Sequence, residues 1–376
     1  MKRIAALLAE FSAIAAEPKK QLEKYLSAGK KVVGCMPYFC PEELIAASGM
    51  VPFGLWGAEM PAVNAKSYFP SFTCSILQTI LELGIRGDFD RLSAVMIPLL
   101  CDSLKSMHPN WRYGVKKKIP VIPVTHAQNR KIRAGVDFTV SQYRAVRKQL
   151  EELSGNAVTD DAIVAAVREY NRHRAVMRRF IAAAGRHPEL VSPPARSAVF
   201  KSSYFTEAGE HYDLVLELTE LLENAPAVPW KGPKIVTSGI LADSPVLLEI
   251  FADCGIAIVD DQVTHESLHF RVDVPETGDP LVGMAERIGR IEGCPVLFDP
   301  GKQRGIMLRE LVNTAGADGV IFVQTKFCDP DEYDYVPLKQ MLDEAGIPSL
   351  RLEVDRQGYN YEQVRTAVET FCSLLS

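Results

Sequence analysis

Short apolar runs of strand length alternate along this chain with longer segments of helical spacing, and the same alternation occurs twice. In the first half, residues 31–35, 51–54, 94–100 and 119–124 are continuous apolar runs, too short for helices and rich in β-branched residues. Such runs are expected of strands buried on both faces of a parallel sheet. The helical stretch 41–48, closed by Gly49, separates the first two, and an amphipathic stretch opening at Cys74 lies between the second and third. The second half repeats the order. Pro233-Lys-Ile-Val-Thr-Ser238 is followed by the helical run 245–253, Gly255 and Ile256-Ala-Ile-Val, then by Val320-Ile-Phe-Val-Gln and a closing Ile347-Pro-Ser-Leu-Arg-Leu. Between the halves, residues 140–153, 160–184 and 203–223 show helical periodicity with many Arg, Glu and Lys and almost no strand signal. Ala225-Pro-Ala-Val-Pro-Trp-Lys-Gly-Pro233 reads as a linker. Residues 1–28 predict one leading helix, whose apolar run is interrupted by Glu10 and Glu17 in a way that a secretory leader would not be.

These elements predict an α/β protein: two similar Rossmann/flavodoxin-like domains with parallel sheets, facing each other across a cleft and joined by a helical connector. The expected divisions are 1–136 with the leading helix, 137–228 for the connector and 229–376 for the second domain. In such sheets ligands sit just beyond the carboxyl ends of the strands. Two of those ends carry the same pair, Cys101-Asp102 after the third strand and Cys328-Asp329 after the Val320 run, where Pro330 fits the first turn of a helix. Asp260-Asp261 reads as another strand end. Gly293–Pro300 and Arg304 read as a strand or loop at a domain edge.

With 376 residues, 47% of them hydrophobic and 24% charged, the chain can bury a substantial core. A formal charge of −5 argues against a nucleic-acid surface, and Lys116-Lys-Lys118 reads as a solvated helix end. No run approaches the roughly 20 apolar residues of a membrane span. A cytoplasmic location is therefore expected, where eight cysteines are buried hydrophobes, metal ligands or nucleophiles rather than a disulfide framework.

No two cysteines have C-x-x-C spacing, so local metal motifs are absent. Cys254, Cys294 and Cys372 read as core residues. Cys74, Cys101 and Cys328 stand at element ends that open on a cleft, and three readings follow. They are packing residues; or one is a nucleophile served by His108 or His126; or three convergent thiolates hold an iron–sulfur cluster with one iron left open. Asp102, Asp329 and Asp331 sit where carboxylates commonly cap a helix.

The stretch Gly29-Lys-Lys-Val-Val-Gly-Cys-Met-Pro-Tyr-Phe-Cys-Pro-Glu-Glu-Leu-Ile-Ala-Ala-Ser-Gly-Met-Val-Pro-Phe-Gly-Leu-Trp-Gly57 resembles the opening of a 2-hydroxyacyl-CoA dehydratase subunit. Cys101-Asp-Ser-Leu104, Gly239-Ile-Leu-Ala-Asp-Ser244 and Lys326-Phe-Cys-Asp-Pro-Asp-Glu-Tyr333 extend the likeness over nearly the whole chain, which is most similar to the smaller, β-type subunits. The resemblance implies a [4Fe–4S] cluster held by Cys74, Cys101 and Cys328. Cys35 matches a frequent family cysteine, whereas Cys40 matches only some members. The resemblance further implies a heterodimer with a homologous α-type subunit, an ATP-dependent iron–sulfur activator and an acyl-CoA substrate, and it leaves open a flavin in the complex. Family members remove water from a 2-hydroxyacyl thioester by transient one-electron reduction to a ketyl radical, and the β-type cluster relays the electron. Two alternatives stand beside this reading: a reductase of the benzoyl-CoA or double-cubane kind, and a metal-free two-domain protein that binds a small ligand in its cleft.

Overall fold

The computed structural model describes residues 1–36, 39–358 and 361–375; Pro37 and Tyr38, within the stretch 29–57 quoted above, lie outside the described residues. Two four-stranded sheets organise the chain. The first contains β1 (Val32–Cys35), β2 (Val51–Gly54), β3 (Ala94–Pro98) and β4 (Val121–Val124), in the order β2-β1-β3-β4. The second contains β5 (Lys234–Gly239), β6 (Ala257–Val263), β7 (Gly319–Thr325) and β8 (Ser349–Val354), in the order β6-β5-β7-β8. Every neighbouring pair is parallel. Each sheet is the doubly wound, Rossmann-like layer that the repeated pattern predicts. In each, the chain reverses direction across the sheet between the two central strands, which places a crevice at the carboxyl ends of β1 and β3 and of β5 and β7. The central strands β1, β3 and β7 are buried at every position. Pro52 and Pro123, which cannot donate to a ladder, lie in the edge strands β2 and β4.

Fifteen helices surround the sheets among the described residues: α1 (Lys2–Ala16), α2 (Pro18–Ser27), α3 (Glu42–Ala47), α4 (Ser75–Arg86), α5 (Asp102–Gly114), α6 (Arg133–Ser154), α7 (Asp160–Arg186), α8 (Pro193–Ser202), α9 (Ala208–Glu223), α10 (Pro245–Asp253), α11 (Ser267–Phe270), α12 (Pro280–Arg290), α13 (Gln303–Ala315), α14 (Asp329–Glu344) and α15 (Tyr361–Leu375). The leading segment is two helices rather than one. Glu17, before Pro18, takes φ −123° and ψ 59°, because a residue preceding proline is pushed out of the helical region. The run 203–223 is helical only from Ala208, after the extended N-cap residue Glu207, and a separate helix, α8, ends at Ser202 just before it. Helix α5 continues through Pro109, held by buried Met107 and Trp111 on its inner face. Thr159 caps α7 by accepting the Ala162 N–H at 3.1 Å, with Asp160 and Asp161 in its first turn. None of the helices among the described residues is long and apolar enough to cross a membrane.

The two halves and the helices between them are tied by buried charges. Asp260 and Asp261 lie inside β6, not at its end. Asp261 is fully buried and pairs with Arg196 of α8, which also donates to Glu266 at 2.6 Å. Arg174 of α7 pairs with Glu43 of α3. Arg130 reaches from the first half into the second, donating to the carbonyls of Ile288 at 3.0 Å, Ile291 at 2.7 Å and Phe298.

Candidate cluster site

Cys74, Cys101 and Cys328 are each the N-cap residue of a helix, α4, α5 and α14 respectively. Local sequence explains all three positions. Cys101 and Cys328 follow the buried strands β3 and β7, and an acidic or proline-marked first turn starts a helix immediately after each. Cys74 precedes the apolar face of α4, whose buried residues include Ile76, Leu77, Ile80 and Leu81. The first two cysteines belong to the first half of the chain and the third to the second half. All three line one cleft of about 470 Å³, with Ser103, Lys105 and Gln128 on one wall and the segment from Pro295 to Pro300, Phe327 and Asp334 on the other. Arg130 fixes that segment by its bond to Phe298.

Cys74 and Cys328 are 9% and 8% exposed, and Cys101 is half-buried. Burial pushes the Cys74 thiol up to about 12, against which the backbone N–H groups of Leu77 and Ile76 pull down; the neighbouring Cys101 adds to the rise. Burial also raises Cys101, opposed by the N–H groups of Leu104 and Ser103. Cys328 is raised well above the usual thiol range by burial, then by Asp331, Cys74 and Cys101. Three adjacent thiols therefore share an environment that disfavours accumulated negative charge, while three helix N-termini offer N–H groups to sulfur. A cationic centre would reverse the balance by drawing off the protons. Among the described residues no three His, Cys, Asp or Glu side chains gather closely enough for a single metal ion. Three cysteine sulfurs from three separate helix starts are a donor set that could hold a polynuclear centre, each sulfur on its own iron.

Two polar clusters buttress the thiols. Arg304, expected at a domain edge, is only 1% exposed. Its Nη2 donates to Asp331 at 2.7 Å and to Ser238 of β5 at 3.2 Å. Asp331 is thus an ion-pair partner and not a helix cap. The loop after β8 docks on α4 beside Cys74: the Arg356 N–H donates to Ser75 Oγ at 3.0 Å, and Gln357 Nε2 donates to Gln78 Oε1 at 2.9 Å. Arg356 also donates to Asp243 at 2.7 Å, and Asp243 accepts from Lys201 at 2.9 Å and Trp56 at 2.5 Å. The sequence pattern places Arg304 only at a domain edge and Asp243 only within the stretch Gly239–Ser244, and gives neither a buried ion-pair role.

The other candidates lie elsewhere. Cys35 and Cys40 are buried around a separate small cavity with His265 and His269. Cys294 is buried as expected, whereas Cys254 and Cys372 are only half-buried, at the margin of the core around β5 and β7. Cys254 caps the C-terminus of α10 and Cys372 lies in the last turn of α15, where each is partly open to water. His126 is buried and lies 3.2 Å from the Tyr143 hydroxyl through Nε2, and His108 faces a groove at the far end of α5. Among the described residues no histidine lines the thiol cleft, so the reading of a lone Cys–His nucleophile lacks its base.

Comparison with known proteins bears on the same question. The family described as 2-hydroxyglutaryl-CoA dehydratase, D-component, matches residues 37–375. The chain is 44% identical to the (R)-phenyllactyl-CoA dehydratase beta subunit of Clostridium sporogenes, over 97% of this chain and 98% of that one. It is 39% identical to the lactoyl-CoA dehydratase subunit beta of Anaerotignum propionicum, over the whole of both chains, and 39% identical to the (R)-2-hydroxyglutaryl-CoA dehydratase subunit beta of Acidaminococcus fermentans, over 99% of this chain and all of that one.

Proposed function

The chain belongs to the family of the 2-hydroxyglutaryl-CoA dehydratase D-component, and we propose that it is the β-type, iron–sulfur subunit of a 2-hydroxyacyl-CoA dehydratase. In this reading it is half of a cytoplasmic hydro-lyase and pairs with a homologous α-type subunit. The observation that carries the proposal is the meeting of Cys74, Cys101 and Cys328, from three helix starts and both halves of the chain, around one cleft. Their thiolates would hold three irons of a [4Fe–4S] cluster and leave the fourth to a non-protein ligand. When bound, such a cluster takes up and gives up one electron at a time. The chain's own part is to hold and shield the site. Apolar walls at Leu100, Val296 and Leu297 limit water, and helix N-termini direct N–H groups toward sulfur.

A relay role suits the cleft better than chemistry on the acyl group. Of the carboxylates on the lining, Asp102 and Asp329 are solvent-exposed, Asp299 accepts from the Arg304 N–H and Asp334 pairs with Lys302, while Asp331 behind them is engaged by Arg304; each is already solvated or partnered rather than set as an acid–base pair. Exposed Phe298 and Phe327 on the lining, with exposed Phe72 and Tyr333 close in sequence to Cys74 and Cys328, give the cleft an apolar surround of the kind a partner covers. The test is enoyl-CoA formation by this chain, an α-type partner, an activator, ATP and a low-potential reductant without oxygen, with each component omitted in turn. Activity should need all of them. Turnover by this chain alone, or in air without ATP, would overturn the subunit assignment.

A further inference from the structure

Arg304 lies in the first turn of α13 with its guanidinium directed inward. Nη2 donates to Asp331 Oδ1 at 2.7 Å and Ser238 Oγ at 3.2 Å, Nη1 stands 3.5 Å from Asp334 Oδ2, and Nε lacks a hydrogen-bond partner. Its main chain is anchored as well: the N–H donates to Asp299 Oδ2 at 3.1 Å, and the carbonyl accepts from Gln262 Nε2 at 2.8 Å. Asp331 is the third residue of α14, the position from which an acidic side chain ordinarily turns back onto the N-cap. Here the N-cap is Cys328. The Asp331 carboxylate, 4% exposed, thus has two possible neighbours, a sulfur that must carry negative charge and a buried cation, and it is bonded to the cation. Two uncompensated negative groups in so buried a place would repel strongly.

We infer that Arg304 is a positioning residue for the cluster: it binds Asp331 off Cys328 and cancels its charge, so that the Arg304–Asp331 pair sets how firmly the site keeps iron and how readily it accepts an electron. This rests on the reading of Cys74, Cys101 and Cys328 as ligands. The electrostatics give opposite signs for the two halves of the pair. Removing the cation leaves an unpaired carboxylate near Cys328, which disfavours an added electron; removing the Asp331 charge leaves the guanidinium, as counter-ion, only the longer contact to Asp334 at 3.5 Å, which favours one.

The full-length chain, prepared without oxygen as wild type, Arg304→Met, Asp331→Asn and the double variant, is titrated potentiometrically under electron paramagnetic resonance, with iron counted in each. The midpoint should move to more negative potential in Arg304→Met, to more positive potential in Asp331→Asn, and back toward wild type in the double variant. Should Arg304→Met fail to load iron, the double variant should recover it. Should Arg304→Met fail to fold, the shift in Asp331→Asn alone decides. Iron-loaded variants with unmoved midpoints, or single variants that move the same way, would overturn the inference alone. A wild-type chain that binds no iron, or a Cys328→Ser variant that loads as well as wild type, would overturn the ligand reading beneath it.

Discussion

Replacing Asp243 by asparagine tests whether the junction behind Cys74 is held by charge. The Asp243 carboxylate joins four segments: its own loop after β5, Trp56 after β2, Lys201 of α8 and Arg356 after β8. Burial would raise its carboxyl, but Arg356 and Lys201 outweigh burial and hold it well below the usual carboxylate range. Asp243→Asn keeps the shape and one acceptor oxygen, and it strands two cations whose side chains are 11% and 23% exposed. Breaking a fully buried pair costs about 3–5 kcal/mol; because both cations retain some contact with water, a loss of about 3 kcal/mol is expected here. The exposed pair Arg3–Glu217, with side chains 56% and 44% exposed, is the control. Glu217→Gln should leave the unfolding midpoint close to that of wild type. The assay is urea unfolding followed by far-UV circular dichroism and by fluorescence, since Trp56 donates directly to Asp243 and reports on the junction. The contribution should be present above the ordinary carboxylate range and disappear as the pH falls through and below it, because the folded state releases this proton more readily than the unfolded state. Asp243→Asn within about 0.5 kcal/mol of wild type would mean that charge does not hold the junction.

Acid should also destabilise the chain through its buried imidazoles. Burial lowers His126 from 6.5 to about 4 and His211 to about 3. The unfolded chain therefore takes up these protons first as pH falls, and stability is full above about 6.5 and declines below it. At about 1.4 kcal/mol per unit, His126 alone accounts for about 3 kcal/mol, read as the shift in urea midpoint between about pH 7 and about pH 4; a midpoint indifferent to pH would contradict this. At the cleft rim, Phe298→Ser or Phe327→Ser should weaken association with the α-type partner and leave the unfolding midpoint of the isolated chain within about 0.5 kcal/mol. Sedimentation of the mixed subunits checks the first effect, and unchanged association would show that the partner sits elsewhere.

What the sequence revealed about this molecule was chiefly what depends on neighbouring residues. Buried parallel strands such as β3 and β7 are apolar at nearly every position, so they stand out as runs, and the change to Cys-Asp or Cys-Asp-Pro marks both the strand end and the helix start. Cys101 and Cys328 were visible for that reason, and Cys74 because the amphipathic pattern of α4 opens at it. The break at Pro18 was signalled locally as well, and the expectation of one helix passed over it. Arg304 and Asp243 were hidden because their burial depends on partners 27 and 113 residues away, Asp331 and Arg356. A charged residue in a polar loop has the same local appearance whether it faces water or a distant counter-ion. Asp260 and Asp261 misled in the same way, since two adjacent carboxylates read as a strand end until Arg196 and Arg271 are placed beside them.

Whether three particular thiols hold iron is decided by iron and acid-labile sulfide in the anaerobically purified chain, with each cysteine replaced by serine in turn. The wild-type protein should be brown and contain iron and sulfide in equal amounts. Cys74→Ser, Cys101→Ser and Cys328→Ser should each lose most of both, while Cys372→Ser, at the margin of another core, should keep them. Equal retention in all four variants, or a colourless wild type, would contradict the assignment of these thiols as ligands.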